Sequence, residues 1–159
     1  MYNKALFSDL YEKRRYSEAH DLCDDAIKDN QNDFQAYHDK AKLFAREKKW
    51  EDALSYIDRA IALANEPVLF FNKARWLLQH NCYKETIESS LLGLAACEES
   101  SFYYYEQSLL FFKAYSELKC HDIVSCQKTL KKISYNSGAR INNQNISRQT
   151  LEEDLERIS

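Results

Sequence analysis

The chain has 159 residues, two of them glycine and one proline, so helices joined by tight turns are favoured, in one domain with a substantial core. A net charge of −3 and a pI near 5.8 argue against a general nucleic-acid binder. Five cysteines without a C-x-x-C pair suit reduced thiols and a cytoplasmic location. Residues 1–10 lack the apolar run of a signal peptide, and no apolar stretch nears the roughly 20 residues that cross a bilayer.

Residues 3–33 read as a helical hairpin. Leu6, Phe7, Leu10 and Tyr11 fall at helical spacing, Lys13-Arg14-Arg15 makes the turn, and Ala19, Leu22, Cys23, Ala26 and Ile27 stripe the second helix. Cys23 is expected in the core. Residues 34–66 form the next hairpin, with Tyr37, Ala41, Phe44 and Ala45 facing Ala53, Leu54, Ile57, Ala60 and Ile61. The third, residues 67–100, opens on Pro67, which fits a first helical turn because its missing N–H has no intrahelical partner there. Phe70, Ala74, Leu77 and Leu78 follow, then Ile87, Ser90, Leu91, Leu94 and Ala95. The fourth, residues 101–133, reads as one long helix from Phe102 to Lys119 and a partner from Asp122 to Ile133. Residues 134–146, with Gly138 and asparagines at 142, 143 and 145, read as a polar loop. Residues 147–159 read as a short amphipathic helix, with a capping-box sequence from Thr150 to Glu153 and Leu151, Leu155 and Ile158 on one face.

These hairpins repeat. Tyr16-x-x-Ala19 followed by Ala26 recurs as Trp50-x-x-Ala53 followed by Ala60. It recurs again, after nearly the same step, as Tyr83-x-x-Thr86 followed by Gly93. Lys73-Ala74 is echoed by Lys113-Ala114 after a longer step, so the fourth repeat carries an insertion. Periods in this range belong to stacked arrays. On Tyr37, Ala41, Phe44, Ala53, Ile57 and Ala60, with Tyr16, Ala19, Ala26, Phe70, Ala74 and Leu77, residues 3–133 resemble the tetratricopeptide repeat family. The departures are Phe7 at a small-residue position, Ala41 and Ala74 where the family has glycine, and Gly93 at an alanine position.

The resemblance implies an all-α right-handed superhelix of about four antiparallel helix-turn-helix repeats plus a C-terminal capping helix. It also implies that first helices line a concave, partner-binding face. The residues facing a partner would be Lys4, Tyr11, His38, Lys42, Arg46, Phe71, Asn72, Arg75, Phe111 and Tyr115. First helices of the first three hairpins sum to about +7 and second helices to about −9; setting aside Arg14, Arg15, Lys48 and Lys49, which complement helix C-termini, leaves about +3, so this face is mildly basic and aromatic. Arg46 and Arg75 suit bidentate grips on carboxylates. An acidic segment of another protein is the expected occupant, and the chain's own acidic C-terminal helix is a candidate. Some family members clamp the C-terminal carboxylate of heat-shock chaperones. Lys4 and Asn72 suit two such places, but Asp39 and Val68 stand at others, which argues against that activity.

No catalytic constellation stands out. A Gly-rich phosphate loop, GxSxG and HExxH are all missing. His80, Cys82, Cys120 and His121 lack a known zinc spacing, so neither metal nor cofactor is expected. The expected function is a non-enzymatic protein-interaction module. The alternatives are a dedicated chaperone of a secreted protein, a toxin-neutralising immunity protein, or an RNA-binding helical repeat that stacks bases on Tyr103, Tyr104 and Tyr105. Nucleic acid is disfavoured because Lys113 and Lys119 are the cations that accompany those rings. A homo-oligomer is compatible with these features.

Overall fold

Alanines at fixed intervals let helix backbones approach closely. The computed structural model, which describes residues 2–142 and 144–158, has eight helices in hairpin succession. They are α1 (Lys4–Glu12), α2 (Tyr16–Asp29), α3 (Phe34–Arg46), α4 (Trp50–Leu63), α5 (Pro67–Gln79), α6 (Tyr83–Ser100), α7 (Glu106–Lys119) and α8 (Ile123–Leu130). Strands β1 (Gly138–Ile141) and β2 (Gln144–Ser147) and helix α9 (Arg148–Ile158) follow. Ala19, Ala41, Ala53, Ala60 and Ala74 are completely buried.

The turn inside each hairpin is the same structure four times. Arg14, Lys48, Asn81 and His121 all adopt left-handed backbone, with φ between 59° and 62°. The N–H of the following residue reaches back to a carbonyl of the preceding helix: Arg15 to Leu10, Lys49 to Phe44, Cys82 to Leu77 and Asp122 to Glu117, at 2.9–3.0 Å. These bonds satisfy helix-end carbonyls in the Schellman manner, although none of the four left-handed positions is glycine. The first three turns are spaced as Tyr16, Trp50 and Tyr83 are, and the last step is as long as that from Lys73 to Lys113.

The chain forms two compact units, Met1–Asn65 and Glu66–Ser159, divided between the second and third hairpins. A repeat array is built from near-neighbour contacts, so it divides readily between hairpins. In the first unit, Phe7, Leu10, Ala19, Cys23 and Leu43 form a core that Tyr2, Tyr11, Tyr16 and Leu22 cover. In the second, a larger core joins Ala74, Leu78, Cys97, Leu109–Phe112, Leu118, Cys126 and Leu130 to Ile141, Leu151 and Leu155 of the tail.

Two sequence expectations change in the second unit. The extra length of the fourth repeat is not a longer first helix. α6 runs 18 residues, against 14 for α2 and α4, and Ser101 (φ 54°, ψ 30°) ends it in left-handed conformation. Residues 102–105 form a turn, and α7 begins at Glu106. The stretch read as a loop is an antiparallel β-hairpin pairing Gly138 with Ser147 and Ile141 with Gln144. Asn143, one of the asparagines in that reading, lies outside the described residues. The hairpin forms because Ile141 is buried against α7, an anchor that local polarity conceals.

Gly93 has a packing reason. A Cβ there would sit 2.9 Å from both Leu109 Cδ1 and Phe70 Cβ, so α6 rests against α5 and α7 closer than alanine allows.

Candidate functional site

In the first unit, four rings run in sequence along α1 and into α2. Tyr2 to Phe7 is 6.4 Å, Phe7 to Tyr11 is 5.7 Å and Tyr11 to Tyr16 is 5.9 Å between centroids. Lys42 Nζ lies 5.0 Å from the Phe7 ring centre and 5.5 Å from that of Tyr11. The negative ring faces attract the ammonium and hold its long side chain in place. The same nitrogen donates to Asp39 Oδ1 at 2.8 Å, and Tyr2 donates from its hydroxyl to Asp39 Oδ2 at 2.8 Å. Asp39 is buried at 1% exposure and paired on both oxygens, so it is a structural carboxylate and not an acid facing a ligand. Burial first, and Asp39 second, hold the Tyr2 phenol well above its usual range.

At the other end of this row the exposed Arg46 donates from Nε to the Tyr16 hydroxyl at 3.2 Å. Lys4 is exposed, with no ion pair among the described residues. His38 is half-buried. Its pKa falls from 6.5 to about 4, chiefly because burial disfavours the imidazolium; Asp39 opposes the shift, and Lys42 and Lys4 add to it. Lys4, Tyr11, His38, Lys42 and Arg46 therefore belong to one electrostatic neighbourhood. Lys40, also on α3, is buried at 5% exposure. It pairs with Asp24 of α2, with its ammonium 5.3 Å from the Tyr56 ring, and burial lowers its pKa.

In the second unit the expected residues fare differently. Arg75 lies over the Phe71 ring at 5.5 Å and donates from Nη2 to Asn72 Oδ1 at 3.1 Å. Phe71 packs on Tyr105 at 4.8 Å and stacks on Phe112 at 5.7 Å. Asn72 is buried at 7% exposure, so it positions Arg75 and offers little surface itself. Phe111 is 1% exposed and belongs to the core, contrary to the expectation of a partner contact. The tail explains this. β1 and α9 both pack on α7, and Leu151 and Leu155 share the Phe111 cluster. Tyr115, one turn from Phe111, lies near enough to α9 for Asp154 to add to the burial that raises its pKa. Gln107 of α7 accepts from Ser134 N at 2.8 Å and from Ser137 Oγ at 3.3 Å, which ties down the start of the tail.

Rings that the candidate set omitted lie in the turn before α7. Phe102, Tyr103 and Tyr104 are 51%, 52% and 78% exposed, and Tyr104 meets Tyr105 edge-on at 5.0 Å. The Tyr103–Tyr105 run was the available sequence signal. Among the described residues, no three His, Cys, Asp or Glu side chains group as metal ligands, and no helix is long and apolar enough to cross a membrane.

No protein-family profile and no curated protein matches the sequence. Solved structures do. PilW, a widely conserved type IV pilus biogenesis factor, superposes with a TM-score of 0.66 at 17% identity, over 80% of this chain and 57% of PilW. The TPR2B domain of yeast Sti1, solved in complex with pHsp70, gives 0.65 at 15% identity, over 71% and 91%. The MamA RS-1 ArsTM double mutant gives 0.68 at 13% identity, over 81% and 70%. The chain thus has a tetratricopeptide-repeat fold, the class its repeated residues resemble. Its span is a little over half the length of PilW.

Proposed function

We propose that this chain is a non-enzymatic module that binds another protein, and that its first unit takes an acidic, carboxylate-bearing segment on the row formed by Lys4, Tyr11, His38, Lys42 and Arg46. The observation that carries the reading is the exposed Arg46 held by Tyr16, with Lys42 beside it over Phe7 and Tyr11, where Asp39 takes one of the three N–H donors of the ammonium. Cations already ordered on ring faces lose little freedom on binding, and apolar ring surface beside them suits side chains that alternate with carboxylates. In the second unit, Arg75 over Phe71 repeats the arrangement on a smaller scale. The Sti1 neighbour, solved with pHsp70, supports protein binding as a use of this fold.

His38 is a reporter. Lys42 and Lys4 help to lower its pKa, so a bound carboxylate beside them raises it from about 4. Proton NMR titration of the His38 ring, with and without an excess of a glutamate-rich peptide, tests this. An upward shift that Arg46→Glu and Lys42→Glu abolish supports the reading; an unmoved His38 with the peptide bound elsewhere sinks it. A chaperone of an extended secreted segment and an inhibitor of a folded toxin are two forms of this function. They separate by whether the captured partner is protease-sensitive or protected.

A further inference from the structure

The second helices of the hairpins carry another surface, independent of the one above. In the first unit these helices are acidic: α2 has Glu18, Asp21, Asp24, Asp25 and Asp29, and α4 has Glu51, Asp52 and Asp58. The acidic pattern persists in α6, with Glu85, Glu88, Glu98 and Glu99, and ends in α8. α6 exposes Leu91 at 50% and Leu92 at 58%, on a face that should be polar in a solvated helix. α8 contains no acidic residue, and its polar side leads into Lys128, Lys131 and Lys132.

These features meet in a cleft of about 260 Å³, lined by Leu91 and Leu94 of α6, Leu110 and Lys113 of α7, and Ser125, Lys128 and Lys132 on the α8 side. Ser125 and Lys128 are one turn apart on α8, and Lys132 follows in the turn after its end, so they line one side of the cleft. Lys113 at the floor is neutralised. It pairs with Glu117 and donates to Thr129 Oγ1 at 2.7 Å, and Thr129 donates to Glu117 Oε2 at 2.7 Å. Lys128 and Lys132 have no ion pair among the described residues. A cleft lined by Leu91, Leu94 and Leu110, with two unpaired ammonium groups on one edge, is complementary to a segment that carries aliphatic side chains on one face and carboxylates beside them.

We infer that the α6–α8 cleft is a docking site for an acidic, leucine-bearing segment of a second protein, distinct from the first-helix face. Leu91, half-exposed at the cleft, offers apolar surface to a ligand, and the reversal of charge on α8 supplies the selectivity.

The test uses the full chain and a labelled peptide in which leucines recur every three to four residues among glutamates, with a lysine-for-glutamate counterpart, read by fluorescence anisotropy. The glutamate peptide should bind with an affinity that falls as salt rises, and the lysine peptide should not. Leu91→Asp should weaken binding about tenfold or more. The Lys128→Glu, Lys132→Glu pair should invert the preference toward the lysine peptide. All three positions are at the surface, and an unchanged melting curve confirms that each variant is folded. Arg46→Glu in the first unit should leave this binding intact; loss there, with retention in the Lys128 and Lys132 variants, overturns the inference. So does a concentration-dependent dimer in sedimentation that Leu91→Asp abolishes, because the cleft would then serve a second copy of this chain.

Discussion

The same kind of helix face is treated in opposite ways in the two units. In the first, the side chains expected to meet a partner remain at the surface: Arg46 and Lys4 are exposed, and Lys42 is braced on Phe7 and Tyr11. In the second, the equivalent stripe on α7 is taken up by the chain's own β-hairpin and α9, which bury Phe111 and crowd Tyr115. A repeat array needs its last apolar surface capped. Here the cap lies partly on the first-helix face, so that face stays open on α1 and α3 and is covered on α7.

Substitution should separate these uses, with the largest effects in the closed unit. Phe111→Ala is expected to cost about 3–5 kcal/mol of unfolding free energy, and Leu155→Ala about 2–4. Arg46→Ala in the open unit should change stability by less than about 0.5 kcal/mol while weakening acidic-peptide binding. Urea melts of the three variants would undo the contrast if Phe111→Ala proved as mild as Arg46→Ala.

Gly93→Ala comes next. The contacts at 2.9 Å imply an overpacking cost of about 1–3 kcal/mol, from which alanine's helix preference returns up to about 1. The variant should melt earlier than the parent; a higher midpoint would mean that α6 shifts freely away from Phe70.

The open unit should show its own pH signature. His38 is held at about 4 in the folded chain against 6.5 in the unfolded one. The unfolded chain therefore binds more protons between those values, and this contribution to stability is full above pH 6.5 and is lost as pH falls toward 4. The slope of unfolding free energy against pH in that window should flatten in His38→Gln; an unchanged slope would assign it to the carboxylates.

The smallest effect belongs to a feature the units share. Left-handed backbone strains any residue with a Cβ, so Lys48→Gly or His121→Gly should gain up to about 1 kcal/mol. Equal gains in both turns, read from thermal melts, would show that the hairpins are alike in this element even where their faces differ.

The hairpin register was legible because it is local chemistry. The small residues at Ala19, Ala41, Ala53, Ala60 and Ala74 reappear as buried contacts, and the repeat spacing reappears in the matching left-handed turns at Arg14, Lys48, Asn81 and His121. The candidate site was half legible. Lys42 and Arg46 could be named as cations with aromatic neighbours, and rings do lie beside both. The pairing of Lys40 with Asp24 was not legible, since it depends on how α2 meets α3. Phe111 shows the same limit: its spacing on α7 marks a face, and nothing local says that Leu151 and Leu155, far along the chain, will cover it.

By itself the sequence determined the helix pairs, their turns and the repeat fold, because helical periodicity and close alanine packing are written in short windows of chain. The tertiary structure alone decided which faces stay open. Burial of Asp39, Lys40 and Phe111, the β-hairpin anchored by Ile141 and the cleft between α6 and α8 all arise from contacts between distant segments, and a residue's exposure is a property of its neighbours in space.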